Sequence, residues 1–331
     1  MRHLARHLPL ALTLAALALA PAPSCAALGG DDGGGANLPN RGIGPWDALD
    51  LDGALLLSPP VGGALGEPSA LADDGGIRLF VDETSDGGDV AVVAFAAGAD
   101  GTALTRVGPV LAGARDPSVA RDAGGGLWMA YVDDATGAIG VAEAGADGAF
   151  TARAAAAVEP GADEVVASPS LARDGARWLL YYTLVRGGDA PVIARASAGD
   201  DLAFAFDAVV LSPGEGCVDA AGAEETCWDA GSVSAPEVRV AVNEAGQRLY
   251  RMFYRGAKAS QGDLGFAASY DGLTFSRYPY NPVVDATVDL DGPANVRVGD
   301  RFLLYWHETR SSSVSGLGGG QNDAGKPSER F

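Results

Sequence analysis

The chain has few residues that could bind zinc or serve as a catalytic histidine. Its 331 residues include three cysteines and three histidines, and no Cys-x-x-Cys pair occurs. His3 and His7 lie in the first seven residues, which leaves His307 as the one histidine in the body of the chain. A structural zinc site or a Ser-His-Asp triad therefore has almost nothing to be built from, and no metal site is predicted.

Positive charge is scarce as well. The chain has 23 Lys and Arg against 43 Asp and Glu, a formal net charge of −20. A surface this negative repels phosphate backbones, so we expect no nucleic-acid partner. Neutral and cationic ligands remain compatible with the charge.

Long apolar runs are missing after the first 25 residues, so no membrane span is predicted. Arg2 and Arg6 precede the apolar run Leu8–Ala20, and "PAPSC" ends at Cys25. This order predicts a secretory signal over 1–25. The cysteine that follows a small residue resembles a bacterial lipoprotein signal, which implies lipidation of Cys25; cleavage and release is the alternative.

The other two cysteines are ten residues apart in a polar loop. Because an exported chain leaves the reducing cytoplasm, we predict a disulfide between Cys217 and Cys227.

One phrase, an inner strand marked by proline and followed by a turn and an aromatic strand, occurs five times. The intervals between its prolines are 49, 52, 67 and 57 residues, and the longest contains the cysteine loop. Periods near 50 residues are typical of propellers. The five prolines are Pro68, Pro117, Pro169, Pro236 and Pro293.

The segments within each repeat predict four antiparallel strands, which make one propeller blade. A second recurring segment, clearest at Ala268–Val284, lies between the repeats. The N-terminal segment Leu49–Val61 resembles it, whereas the fifth repeat is not followed by a copy. We therefore predict an all-β, five-bladed β-propeller over 45–310, closed by an N-terminal strand in the last blade. Residues 26–44 read as a Gly/Asp-rich tether and 311–331 as a low-complexity tail.

The repeats, "RDP" at Arg115–Pro117 and "SYDGLTF…NPVV" at Ser269–Val284 resemble the five-bladed glycoside hydrolase superfamily. It includes arabinanases, xylosidases, invertases, levansucrases and mannoside phosphorylases. The resemblance covers about 45–310. It implies three carboxylates at the mouth of the central tunnel: a base or nucleophile in blade one, an orienting Asp in blade two and a general acid in blade three.

Carried over to this chain, the resemblance gives Asp116 as the orienting residue and Glu67 as the blade-one carboxylate. In blade three the matching residue is Ser168, so the expected acid is missing. Glu237 in blade four is the candidate acid, because its register faces the tunnel. An ion pair with Arg239 is the equally weighted alternative for Glu237.

Four further residues are predicted to contact substrate. Asp291 resembles the phrase around the family acid, although it lies in the fifth repeat, and Trp228 follows Cys227 in a loop from which an indole could stack on a sugar ring. Arg115 and Ser168 flank the mouth acids. No cofactor is expected; some superfamily members carry a tunnel calcium, which His307 or the mouth acids would hold here.

These observations leave two functions open. The first is an exported, lipid-anchored propeller that binds an oligo- or polysaccharide and hydrolyses its glycosidic bonds. The second is a non-catalytic propeller that binds glycan or protein. In both, the protein is a monomer at the cell envelope, on the periplasmic or outer-membrane face, and touches the membrane only through its N-terminal lipid; a secreted form is the alternative location.

Overall fold

A computed structural model of the chain describes residues 43, 46–49, 54–73, 76–214, 227–242, 246–311 and 314–323. The predicted signal, Cys25, the tether apart from Ile43, and Cys217 lie outside these ranges. Within them, no helix has the length and apolar character that crossing a membrane requires.

The described residues form twenty strands in five four-stranded antiparallel sheets. Blade one contains β2 (Ala64–Asp73), β3 (Gly76–Thr84), β4 (Val90–Ala97) and β5 (Thr105–Ala112). Blade two contains β6 (Ala114–Arg121), β7 (Leu127–Asp133), β8 (Ile139–Ala144) and β9 (Phe150–Val158). Blade three contains β10 (Glu164–Asp174), β11 (Arg177–Arg186), β12 (Val192–Ala198) and β13 (Ala205–Leu211). Blade four contains β14 (Ser232–Val242), β15 (Arg248–Ala257), β16 (Gly262–Ser269) and β17 (Ser276–Arg277). Blade five contains β18 (Asp289–Val298), β19 (Arg301–Ser311), β20 (Val314–Asp323) and β1 (Asp47–Ala48).

The first strand of each blade, β2, β6, β10, β14 or β18, is the innermost. Each contacts the innermost strands of both neighbouring blades, and β18 contacts β2, so the five blades form a closed ring around a central pore. All five repeat prolines lie on these strands. The five-bladed propeller predicted from the repeats is confirmed.

The N-terminal segment closes the ring by pairing with β20. Asp47 lies opposite Gln321 and Ala48 opposite Gly320. Further along the segment, Leu57 forms an isolated bridge with Leu317. The outermost strand of blade five therefore comes from the start of the propeller, as predicted.

The prediction of a tail without strands over 311–331 is wrong for 314–323, which form β20. The run of glycines that reads as low complexity serves packing here. A Cβ on Gly318 would clash with the indole of Trp306, and one on Gly320 would lie 3.0 Å from Cβ of Trp46. Gly318 and Gly320 leave room for both tryptophans on the same face of the strand. The propeller therefore extends to Asp323.

The hydrophobic core consists of five clusters, one at each seam between neighbouring blades. At the seam between blades two and three, for example, the rings of Trp128 and Trp178 lie 5.5 Å apart. Because aromatic and branched side chains from second and third strands fill these seams, the sheets pack face to face.

Three serines link the innermost strands across the seams. Each stands one residue after its repeat proline and accepts the backbone N–H of the next blade. The bonds join Ser69 to Val119 at 3.0 Å, Ser118 to Leu171 at 2.9 Å and Ser170 to Val238 at 2.8 Å. These side chains therefore have a structural role around the pore.

Candidate functional site

Each innermost strand carries a β-bulge beside its proline, which turns nearby side chains out of the regular alternation. In blades two to five the residue before proline has a positive φ: Asp116 (49°), Ser168 (45°), Ala235 (46°) and Gly292 (53°). Four independent occurrences make this conformation a property of the blade.

Ser168 of blade three joins carboxylates from blades one and two. Its hydroxyl donates to Oε1 of Glu67 at 2.7 Å, and its backbone N–H donates to Oδ2 of Asp116 at 3.2 Å. Blades one and three are not neighbours in the ring, so the bond between Ser168 and Glu67 crosses the pore. The structure thus brings together three of the residues predicted from the sequence.

A fourth predicted residue, Asp291, reaches the same place from blade five. The adjacent Gly292 packs directly against Glu67: a Cβ on Gly292 would lie 2.6 Å from Cγ of Glu67. The negative charge of Asp291 raises the pKa of Glu67.

Asp82, on the second strand of blade one, completes the group. Its Oδ1 accepts the backbone N–H of Asp116 at 3.2 Å. We call Glu67, Asp82, Asp116 and Asp291 the acid cluster. Sequence reasoning missed Asp82 because it lies outside the repeated proline phrase; its place within the aromatic strand "LFVDET" is the one signal, a carboxylate in an otherwise buried strand.

Burial raises the pKa of every carboxyl in the acid cluster, because the protein disfavours their charged forms. For Glu67 the charges of Asp116, Asp291 and Asp82 add to burial, and the pKa lies well above its usual value even though Ser168 donates to it. Burial and the charge of Asp116 raise the pKa of Asp82 to about 7. The pKa values of all four carboxyl groups therefore lie above those of free carboxyl groups.

Asp291 is more accessible to solvent than Asp82, which is 7% exposed. Burial raises its pKa to about 6, although Arg255 and the N–H of Gly292 favour its charged form. Its side chain keeps 40% of its surface accessible, because it faces the pore, and Nε of Arg255 lies 3.9 Å from Oδ2. The surrounding protein limits the solvation of the Asp291 carboxylate even though its atoms are partly accessible, so the charged form is disfavoured.

Glu237 lies in a different environment. It forms an ion pair with Arg239, and the Arg239 guanidinium also donates to the carbonyl of Ala70 in blade one (2.9 Å) and of Val119 in blade two (3.4 Å). Burial raises the pKa of Glu237, whereas Arg239 lowers it. Arg239 thus connects blades one, two and four across the pore. This arrangement contains the ion pair with Arg239 that was predicted from the sequence as the alternative role of Glu237.

The remaining predicted residues lie around the cluster or away from it. Arg115 is exposed, lies 3.9 Å from Asp134 and lowers the pKa of Asp116. Trp228 packs on the sheet of blade four, with its ring 5.6 Å from that of Tyr254. Cys227 is buried; since Cys217 lies outside the described residues, their disulfide stays a prediction.

The residues suggested for a calcium ion do not form a ligand set. Across the described ranges, no three or more of His, Cys, Asp and Glu are placed to hold a metal ion. His307 lies opposite Asp291 in the strand pairing, but its pKa is lowered by burial and is raised only by Asp289 and Glu308. We therefore assign no step of any reaction to a metal.

A cavity of about 430 Å³ opens elsewhere, between β3–β5 of blade one and the turn at 146–149 of blade two. None of the acid cluster lines it, so the carboxylates and not this cavity define the candidate site.

Comparisons with known proteins agree with the fold. No family model matches the chain, and no curated protein matches it. Among solved structures, a glycosyl hydrolase from Bacteroides ovatus is 15% identical, covers 86% of this chain and 95% of its own, and has a TM-score of 0.63. An α-L-arabinofuranosidase from Podospora anserina in complex with cellotriose is 12% identical, with 84% and 97% covered and a TM-score of 0.60. The catalytic domain of a GH62 α-L-arabinofuranosidase from Coprinopsis cinerea is 13% identical, with 84% and 96% covered and a TM-score of 0.59. The chain thus has the propeller fold of glycoside hydrolases.

Proposed function

We propose that the protein hydrolyses glycosidic bonds in the pore, using the acid cluster for acid–base catalysis. The observation that carries the proposal is the meeting of Glu67, Asp116 and Asp291, from blades one, two and five, around Ser168. Glycoside hydrolysis needs one protonated carboxyl and one carboxylate on either side of a sugar. The hydrolases that share this fold support the assignment.

The environments of the carboxyls suggest their roles. Glu67 stays protonated because three neighbouring acids raise its pKa. It therefore acts as the general acid, which protonates the glycosidic oxygen as the bond to the anomeric carbon breaks. Asp291 is ionised above about pH 6 and takes the proton of the attacking water. Asp116 orients the site through Ser168. After release, Glu67 regains and Asp291 loses a proton through solvent.

The test is hydrolysis of 4-nitrophenyl α-L-arabinofuranoside, β-D-xyloside, β-D-glucoside and β-D-mannoside. We expect kcat/KM for the best of these to fall by about 100-fold or more in Glu67→Gln and in Asp291→Asn, the contribution typical of a general acid or base. Asp189→Asn, on an exposed loop of blade three, is the matched control and should keep full activity. Full activity in Glu67→Gln would refute the role of Glu67.

The second candidate is a non-catalytic propeller that binds glycan. It is favoured by Ser168, which stands where the resemblance places the general acid and occupies Oε1 of Glu67 with its hydroxyl. Calorimetric binding of the corresponding oligosaccharides, with no hydrolysis of any aryl glycoside, would establish this candidate over the first.

We also propose that the propeller is exported, monomeric and held at the cell envelope by a lipid on Cys25, with Cys217 and Cys227 joined in its loop. The signal pattern over 1–25 and the cysteine count support this location. A glycan-binding ring outside the cytoplasm would meet its ligand directly.

A further inference from the structure

We propose that Asp82 is a positioning residue for Asp116: its carboxyl group accepts the main-chain N–H of Asp116 and so holds the bulge that directs Asp116 into the pore, and it places a further acidic group beside Glu67. The proposal rests on the proposed function and adds a residue that takes no part in the reaction itself.

The first half of the proposal rests on the bond across the seam between blades one and two. Asp116 has a φ of 49°, a conformation that costs a non-glycine residue free energy unless its surroundings hold it. Oδ1 of Asp82 accepts the N–H of Asp116 at 3.2 Å, so a side chain from blade one stabilises the bulge of blade two. Both carboxylate oxygens of Asp82 lie against Gly66, where a Cβ would collide with them.

The seam between blades three and four shows that a neutral side chain can hold the bulge of the next blade. There the hydroxyl oxygen of Thr183, also on a second strand, accepts the N–H of Ala235 at 2.9 Å. Ala235 has nearly the same φ as Asp116, 46°. A neutral acceptor therefore holds an equivalent bulge, and burying a carboxylate at Asp82 instead carries a desolvation cost that the main-chain bond does not require.

The charge of Asp82 acts on the acid cluster. Asp82 is 7% exposed and faces Asp116 on β6 and Glu67 on β2, while Asp291 on β18 faces Glu67. Two cations oppose this effect in the acid cluster: Arg115 lowers the pKa of Asp116, and Arg255 lowers the pKa of Asp291. Each like charge in such a group makes loss of a proton by its neighbours less favourable. Asp82 thus helps to keep Glu67 protonated.

The experiment is Asp82→Thr, which copies the arrangement at Thr183 and removes only the charge. Titration of the ¹³C-labelled carboxyl groups by NMR, without substrate, should show the midpoint of Glu67 lowered, because one of the three acids that raise its pKa is gone. The loss of activity at high pH should move down by the same amount. Asp82→Ala, which removes the acceptor too, should in addition alter the backbone chemical shifts of Asp116.

The two failures can be told apart. Unchanged midpoints in a folded Asp82→Thr protein would overturn the electrostatic role of Asp82, whether or not the protein is an enzyme. Unaltered Asp116 shifts in folded Asp82→Ala would overturn its main-chain role. If no glycoside is hydrolysed, the proposed function fails, but the NMR titration still decides the role of Asp82. Should Asp82→Ala not fold, Asp82→Val replaces it, because valine has the shape of threonine and lacks the acceptor. Asp189→Asn is the control that should move nothing.

Discussion

Ser168 forms hydrogen bonds to two acids with different proposed roles: Glu67, the proton donor, and Asp116, the orienting residue. Its hydroxyl stabilises the charged form of Glu67 and so lowers the pKa that the neighbouring acids raise. Its N–H does the same for Asp116. A small neutral residue in this position therefore adjusts both carboxyls without adding a charge.

Removing that hydroxyl should make Glu67 harder to ionise. In Ser168→Ala we expect the pKa of Glu67 to rise further, because its charged form loses a hydrogen-bond donor while the surrounding acids remain. The activity that depends on protonated Glu67 should then persist to higher pH. Carboxyl NMR titration and a pH–rate profile measure the two effects.

Ser118→Ala is the matched control for this prediction. It removes the bond to Leu171 across a seam, so it should lower stability and leave the titration of Glu67 where it was. A midpoint for Glu67 that falls in Ser168→Ala would contradict the assignment of Ser168 as a donor.

The sequence allowed part of this site to be predicted, for a definite reason. Glu67, Asp116, Ser168 and Asp291 stand beside a proline that recurs in each repeat, so aligning the repeats placed them on one ring. Asp82 has no such mark, because it lies on a second strand where each blade differs. Its role depends on a hydrogen bond to the next blade that no local pattern encodes.

Single elements show a similar contrast. The innermost strands were predictable because proline, turn residues and an aromatic strand follow each other in every repeat. β20 was not, because strands usually favour branched and aromatic residues, whereas this one is built on glycine. Glycine is required because Trp46 and Trp306 pack closely on one face of the strand, which is a tertiary cause.

Ending the chain after Ser311 should therefore damage the propeller. Loss of β20 removes the buried Leu317 and the strand to which β1 pairs. We expect the free energy of unfolding to fall by at least about 3 kcal/mol, the cost of emptying one large buried side-chain site. Thermal and urea unfolding followed by circular dichroism measure the change.

A chain that ends after Asp323 is the control, since it keeps every described strand. It should unfold like the full chain. Equal stability of the two truncated chains would show that β20 contributes nothing to blade five.

At the scale of the whole molecule, the signal pattern over 1–25 predicts export, which is a proposal that membrane fractionation can test. In a bacterial host we expect the mature chain to begin at Cys25 and to partition with membranes, because acyl chains bury apolar surface in the bilayer. Intact-mass measurement of the detergent-extracted protein would detect the added acyl mass. Cys25→Ser should abolish both the added mass and the partitioning; a wild-type chain recovered without acyl groups would favour the secreted alternative.

The pairing of Asp47 and Ala48 with Gly320 and Gln321 has a consequence for synthesis. These bonds join a segment near the start of the propeller to β20 near its end, so we expect a polypeptide that is not yet translated through β20 to form the early sheets without closing the ring. Until the final segment emerges, the incomplete fifth sheet lacks its third strand and the N-terminal partner has nowhere to bind. We therefore expect the ring to close only once the chain has been translated through Asp323, since contacts of high sequence separation form slowly.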